Sequence, residues 1–435
     1  MQNFYLIDYI KENFHIDQSV LESIKYELDQ QIYYYGKQFK YPKERQDNFA
    51  DKINFADKIS KKITKALLHY IALTCCVFRT NLNNGKKNIL SNAYFSVNAE
   101  LSKLNFNVYR PPWIIGRDFK VLAKREILKE VEYFKESFEK RSFIDLISQE
   151  FINKIHVFKS KLKEYFLDNA MDALFVPNDL GFFENISINI FRQIKRPSFV
   201  FLHGLPGRYN NIDDNRADYL IVWGEKIKEH YVRAGVDHDK IFVSGHPYYK
   251  ELKYKELRFT LDSPLIITKS MNGAPSDSKN EFLLADRGNL ILYLYMIQSV
   301  LRKFGVKSVR FRPHPSENSA WYLKFIDKDF FQVDNDDLKN SLRKSTIVIG
   351  PTSTVFLEAI YCGVNYICFE PSRNGIDLVN HKLVPPFDGS DERLPVAKDE
   401  KQLEMHIRDN TQVNIEIFND YIKTPFDISF VKRMI

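Results

Sequence analysis

The feature that most constrains this chain is a rhythm repeated down its length. Short apolar runs end in Gly, Pro, His or a small polar residue, and each then leads into a helical stretch. Runs at 172–176, 198–202, 219–222 and 241–244 end in Pro177-Asn178-Asp179, His203-Gly204, Trp223-Gly224 and Gly245-His246-Pro247. Earlier runs at 88–90 and 106–109 fit the same pattern, and a second series follows at 265–268, 308–311, 346–349 and 366–369. Such runs read as buried strands. Strands that alternate with helices require right-handed crossovers, and so a parallel sheet.

Between the two series, 248–263 is polar and charged and reads as a linker. The 435 residues are enough for two domains with full cores. The predicted organisation is α/β. A mostly helical region, 1–85, joins a Rossmann-like domain at 86–247. The linker, 248–263, leads to a second Rossmann-like domain at 264–435, with its last helices placed to cross back. A long charged helical region is expected over 120–167. Two such halves face each other across a cleft, and ligands bind there at the carboxyl ends of the strands.

Composition narrows the function classes. Lys and Arg number 63 against 56 Asp and Glu, a net charge of +7 that suits an anionic ligand or an acidic membrane surface without requiring nucleic acid. No zinc-knuckle spacing or RNA-binding aromatic motif is present, so no nucleic-acid partner is expected. Cys75, Cys76, Cys362 and Cys368 lack metal-ligand spacing and read as thiols in a reducing compartment. The first residues lack the basic-then-apolar pattern of a signal peptide. The longest apolar run, 66–78, is interrupted by His69, Tyr70 and Thr74 and is shorter than the about 20 residues a membrane span needs. A cytoplasmic location is expected. Lys61, Lys62 and Lys65 before that run allow a peripheral contact with the inner membrane.

Several strand ends carry residues with chemical potential. Arg310-Phe311-Arg312-Pro313-His314-Pro315 runs a strand into two arginines and a histidine. Pro315 holds His314 extended, and Arg312 offers a forked cation for phosphate or carboxylate. Gly350-Pro351-Thr352-Ser353-Thr354 places three hydroxyls at a strand-to-helix junction, where they can cap the helix or hold a phosphate. Glu358, further along that helix, can accept ribose hydroxyls or make a surface pair. Ser270, Asn272 and Gly273 form a small-residue loop after the first strand of the second series, able to approach a nucleotide closely. In the first half, His203 stands at one strand end. Asp179 stands at another, with Glu184 beyond it. Asp179 or His203 can act as a base toward a hydroxyl, and Asp179 can equally cap the next helix.

Taken together, Arg312-Pro313-His314-Pro315 and Gly350-Pro351-Thr352-Ser353-Thr354-Val355-Phe356-Leu357-Glu358-Ala359 resemble the His-Pro and Ser/Thr motifs of bacterial GT-B sialyltransferases, polysialyltransferases and Kdo transferases. Residues 218–249 resemble capsule-polysaccharide transferases more broadly, and the likeness covers roughly 170–375. It implies a GT-B fold in which His314, Pro315, Ser353 and Thr354 bind a cytidine monophosphate donor. Those sialyltransferases place their acceptor base in an acidic-acidic-Gly motif. Here Asn178-Asp179-Leu180-Gly181 has Asn for the first acid and an extra Leu. His203-Gly204 is also similar to the His-Gly of teichoic-acid glycerophosphotransferases.

The implied reaction moves a sialic-acid-like or Kdo-like sugar from a CMP-activated donor to a bacterial surface glycan or glycolipid. It proceeds with inversion and with no metal or other cofactor. Asp179 or His203 is the base and His314 supports the leaving phosphate. Thr352, Ser353 and Thr354 hold that phosphate, with Arg312 neutralising charge. The alternatives are a CDP-alditol phosphotransferase, a UDP-sugar transferase or epimerase of the same fold, and a non-catalytic glycan-binding protein.

Overall fold

The computed structural model describes residues 10–13, 16–33, 85–93, 97–114, 125–205, 217–249, 256–269, 287–315, 317, 319–379 and 383–435. Two six-stranded sheets organise the chain. Helix α1 (Gln18–Tyr33) precedes the first sheet. That sheet is built from β1 (Asn88–Ser91), β2 (Asn107–Tyr109), β3 (Met171–Val176), β4 (Ser198–Phe201), β5 (Tyr219–Val222) and β6 (Ile241–Val243). Its strand order is β2-β1-β3-β4-β5-β6, and every pairing is parallel. Helices α2 (Val97–Lys103), α3 (Arg125–Lys140), α4 (Phe143–Leu146), α5 (Gln149–Asp168), α6 (Phe182–Gln193) and α7 (Glu225–Arg233) connect these strands.

The second sheet comprises β7 (Pro264–Ile267), β8 (Val309–Arg312), β9 (Phe331–Val333), β10 (Ile347–Gly350), β11 (Asn365–Phe369) and β14 (Val396–Ala397). A small antiparallel hairpin, β12 (Ser372–Arg373) and β13 (Ile376–Asp377), precedes β14. The order is β14-β11-β10-β7-β8-β9, again all parallel. Helices α8 (Arg287–Lys303), α9 (Ser319–Tyr322), α10 (Leu338–Lys344) and α11 (Val355–Tyr361) intervene, and α12 (Glu400–Arg408), α13 (Ile417–Tyr421) and α14 (Val431–Met434) complete the chain.

The apolar runs are continuous because both faces of the sheet are covered. Successive residues of the second sheet enter different cores. Leu265, Ile267, Val348, Tyr366 and Cys368 face one, with Phe356, Leu357 and Ile360 of α11. Ile266, Ile347, Ile349, Ile367 and Phe369 face the other, with Leu290, Leu294 and Ile297 of α8. That alternation is the two-residue period of a strand. The first core is shared with the first sheet. This two-sheet α/β architecture is the one the sequence predicts.

Three differences have physical causes. The predicted long helical region, 120–167, is divided, because Ser142 and Ser148 act as N-caps. Ser142 and Asp145 form a reciprocal capping box, and the Ser148 hydroxyl accepts from Phe151 N–H at 3.3 Å. The predicted polar linker is partly packed: Tyr249 is buried, and the Arg258 guanidinium donates to the carbonyls of Gly363, Arg343, Leu342 and Cys362. Strands β9 and β14 are too short for a sequence pattern to reveal.

The segment after α13 bonds to residues that follow strands of the first sheet. Lys423 N–H donates to the Trp223 carbonyl at 2.7 Å and Asp427 N–H to the Ser244 carbonyl at 2.8 Å. Phe430 stacks on Phe242 with centroids 4.9 Å apart. Among the described residues, no helix is long and apolar enough to cross a membrane. Cys362 and Cys368 are free thiols, while Cys75, Cys76 and the 66–78 run lie outside the described residues.

Candidate functional site

In the second sheet the strand order reverses between β7 and β10. Helices there depart to opposite faces and leave a crevice at the carboxyl ends. Thr268 and Lys269 end β7 on one side, and Gly350-Pro351-Thr352 ends β10 on the other. Gly350 is required by packing: a Cβ there would lie 2.3 Å from Ile267 Cγ1 and 2.6 Å from the Tyr366 hydroxyl. That hydroxyl donates to the Pro351 carbonyl and anchors the turn.

His314 follows β8 and is tied to the same place. Its N–H donates to Thr268 Oγ1 at 3.2 Å, and the Thr268 hydroxyl donates to Glu317 Oε2 at 2.8 Å. Glu317 N–H returns to the His314 carbonyl at 2.8 Å. The His-Pro turn is thus fixed against β7 by a closed ring of bonds. The imidazole is solvent-accessible but crowded by protein atoms. That desolvation, with the Lys269 charge nearby, lowers its pKa. At neutral pH it is a neutral ring able to donate one N–H.

The second half meets the first at the Ser/Thr turn. Thr354 Oγ1 accepts from Leu205 N–H at 3.4 Å and lies 3.6 Å from where a Cβ on Gly204 would stand. The His203-Gly204-Leu205 loop therefore packs directly against the Ser/Thr turn. His203 Nδ1 lies 3.0 Å from the Pro177 carbonyl, which can only accept. The proton must sit on Nδ1, so in the neutral ring Nε2 carries the lone pair, the form a general base needs. Asp179 is 5% exposed. It is not the helix cap: Gly181 holds that position without a side-chain bond, and Asn178 Oδ1 accepts from Leu180 and Gly181 N–H.

Glu358 lies on α11 among Tyr248, Tyr249 and Cys362, whose pKa values are raised by burial first and further by the Glu358 charge. Burial pushes its carboxyl up to about 7, against the pull of the Arg312 cation. Among the described residues, no group of three or more His, Cys, Asp and Glu side chains is placed to hold a metal ion.

No protein-family model and no curated protein matches the sequence. Solved structures similar in shape include the UDP-GlcNAc 2-epimerase of Methanocaldococcus jannaschii in complex with UDP-GlcNAc and UDP, at a TM-score of 0.45 and 14% identity over 79% of this chain and 96% of that one. The UDP-GlcNAc 2-epimerase of Neisseria meningitidis, bound to UDP-GlcNAc, gives 0.44 and 13% over 80% and 96%. Anabaena HepE in complex with UDP and glucose gives 0.39 and 10% over 78% and 95%.

Not every predicted donor residue is disposed as the sequence suggests. Thr352 is buried, and its N–H donates to Glu370 Oε1, so that N–H is already engaged. Ser353 Oγ accepts from Val355 N–H at 3.2 Å just before the helix, leaving its O–H to donate. Arg312 Nη1 donates to the Asp336 carbonyl and to Ser341 Oγ, which anchors the guanidinium toward α10. Arg310 is structural, bound to Asp334, the Ser341 carbonyl and Ser345. Pro315 is exposed beside His314. Ser270, Asn272 and Gly273 lie outside the described residues.

Two site residues escaped the sequence reading. Lys269 is a cation beside His314 at the end of the central strand. Its signal was its place directly before the Ser270 loop. Glu370, 1% exposed, is a carboxyl that orients the Thr352 turn. It has no local motif, because the contact joins two strand ends.

Proposed function

We propose that the chain is an enzyme acting on a nucleotide-activated sugar. The nucleotide phosphates lie against Lys269, His314, Ser353 and Thr354, and the ribose against Glu358. The observation that supports this most is the convergence of cationic and hydroxyl groups on the strand-order reversal of the second sheet, with the His203 loop packed opposite. His314 and Lys269 stabilise negative charge as it develops on the leaving phosphate. His203 Nε2, or Asp179, removes a proton from the group that reacts.

Within this class, a nucleoside diphosphate sugar is the first reading. Lys269, the His314 N–H and the hydroxyls of Ser353 and Thr354 offer more donors than the single phosphate of a CMP ester fills, and a pyrophosphate matches them better. UDP is the diphosphate to test first, because UDP compounds are what the similar solved structures hold. The reaction is then transfer to a glycan or glycolipid acceptor, with any membrane contact peripheral, or epimerisation of the sugar. CMP-dependent ulosonic-acid transfer is the second reading, favoured by the resemblance of Arg312-Pro313-His314-Pro315 and the Ser/Thr turn.

Thermal denaturation with UDP, CDP, CMP and GDP tests the reading. A ligand that binds only the native state stabilises it by about 2.7 kcal/mol at a hundredfold excess over Kd. UDP is expected to raise Tm most. Stabilisation by CMP alone selects the ulosonic-acid transferase, and CDP above all others selects alditol-phosphate transfer. If no nucleotide shifts Tm, the proposal fails. Turnover of UDP-GlcNAc without an acceptor separates epimerase from transferase.

A further inference from the structure

The carboxyl edge of the first sheet carries a polar cluster that this reaction leaves unused. Strand order reverses there between β1 and β3, again where a crevice forms. Glu184, in the first turn of α6, stands at that point. Its Oε1 accepts from the Asn92 amide at 3.0 Å and from the Trp113 indole N–H at 3.0 Å. Asn92 directly follows β1, and its backbone N–H is bonded to Phe175 of β3 at 2.8 Å. Trp113 is buried, stacked on Phe183 at 5.6 Å, and its carbonyl accepts from Lys135 Nζ at 2.7 Å. One carboxyl oxygen is therefore fixed by two donors. Oε2 lies 2.4 Å from the position a Cβ on residue 181 would take, so Gly181 leaves it room.

We infer that Glu184, beside Asn92, forms a subsite for the hydroxyls of a pyranose ring on the side of the cleft opposite the nucleotide. Burial raises the Glu184 pKa, against the bonds from Trp113 and Asn92 and the charge of Lys135. With Oε1 engaged, Oε2 is the oxygen left to a ligand hydroxyl, which can donate to it or accept from it, as the hydroxyls of a neutral polyol do. The inference rests on the nucleotide-sugar reading. The ring belongs either to the activated donor or to a separate acceptor.

The test uses the full chain and two variants. Glu184→Gln keeps an oxygen for Asn92 and Trp113 but puts an amide group in place of Oε2, and Gly181→Ala sets a methyl group against Oε2. Calorimetry measures the nucleotide selected by the thermal screen, alone and as its sugar ester (UDP-GlcNAc or CMP-N-acetylneuraminate). Saturation-transfer NMR with free N-acetylglucosamine and galactose, with and without nucleotide, probes a separate acceptor. Both variants are expected to bind the bare nucleotide within about twofold of wild type. If the donor sugar occupies the subsite, they lose about tenfold or more in affinity for the ester, the size of one hydrogen bond. If the acceptor does, they lose the monosaccharide signal instead. Wild-type behaviour of Glu184→Gln in both assays overturns the inference. So does a wild-type chain that binds nucleotide but shows no sugar contribution in either. Absence of nucleotide binding sinks the proposed function alone, since the monosaccharide measurement still reads the subsite.

Discussion

Glu358, the residue proposed to meet the ribose, carries a cost in the folded state. Its folded-state pKa of about 7 lies above the ordinary 4.5 because burial disfavours the ionised form. Between those values the folded state holds more protons than the unfolded state, so stability falls as pH rises from 4.5 through 7. The penalty, full above pH 7, is of order 3 kcal/mol. Glu358→Gln is therefore expected to raise Tm relative to wild type at pH 8 and to leave it nearly unchanged at pH 4.5. The same substitution bears on ligand binding. If the ionised carboxylate receives the ribose, wild-type nucleotide affinity increases from pH 6 to 8, while the Gln variant binds more weakly with a flatter profile. A Gln variant that is no more stable at pH 8 would mean the carboxyl is not penalised there. At the same scale, His314→Ala is expected to abolish nearly all turnover with the circular dichroism spectrum intact. Lys269→Ala is expected to weaken nucleotide binding in a way that Lys269→Arg restores.

At the level of elements, the placement of α13 depends on glycine. A Cβ on Gly224, the N-cap of α7, would lie 2.3 Å from the backbone carbonyl carbon of Tyr421 in α13 and 2.5 Å from the Asp420 carbonyl oxygen. Neither atom is the end of a flexible side chain, so α13 must move. Gly224→Ala is expected to cost about 1–3 kcal/mol, as overpacking does, read by chemical denaturation. None of this was legible in the sequence. Glycine 224 reads as the ordinary end of a strand, because the atoms that exclude a side chain come from residues nearly two hundred positions away. The strands themselves were legible. Runs such as 219–222 are apolar throughout because successive residues are buried, and a turn residue ends each one. The His-Pro and Ser/Thr turns were legible as strand-end segments because each is contiguous in sequence. The bonding of Arg312 to α10, the Thr352–Glu370 pair and the Thr354–Leu205 contact were not, since each joins separate strand ends and leaves no periodic trace.

Across the whole molecule, the junction between the halves is built around one buried histidine. His246 follows β6, where the chain leaves the first sheet. It is 3% exposed and packs edge-on to Trp223 at 4.7 Å and against Tyr249 at 5.3 Å. Tyr249 in turn meets Tyr361 of α11 and Phe418 of α13. Tyr248 N–H donates to His246 Nδ1 at 3.2 Å, which requires the neutral ring. Burial lowers its pKa to about 4 from 6.5. Here the unfolded state binds the extra proton between those values, so stability is lost as pH falls from 6.5 toward 4. The sign is the same as for a depressed carboxyl but the window lies higher, and the loss approaches about 3 kcal/mol. Glu358 acts in the opposite sense over much of the same range. The net slope of wild type is therefore shallow, and each group is exposed only when the other is silenced. In a Glu358→Gln background the acid limb of His246 is expected to emerge as a steeper loss of stability between pH 6.5 and 4. Adding His246→Asn, which keeps an acceptor for Tyr248 N–H, should flatten that limb while lowering stability at pH 7. Urea denaturation across pH on the single and double variants measures both. An unchanged acid slope in the double variant would place the titrating group elsewhere than at this junction.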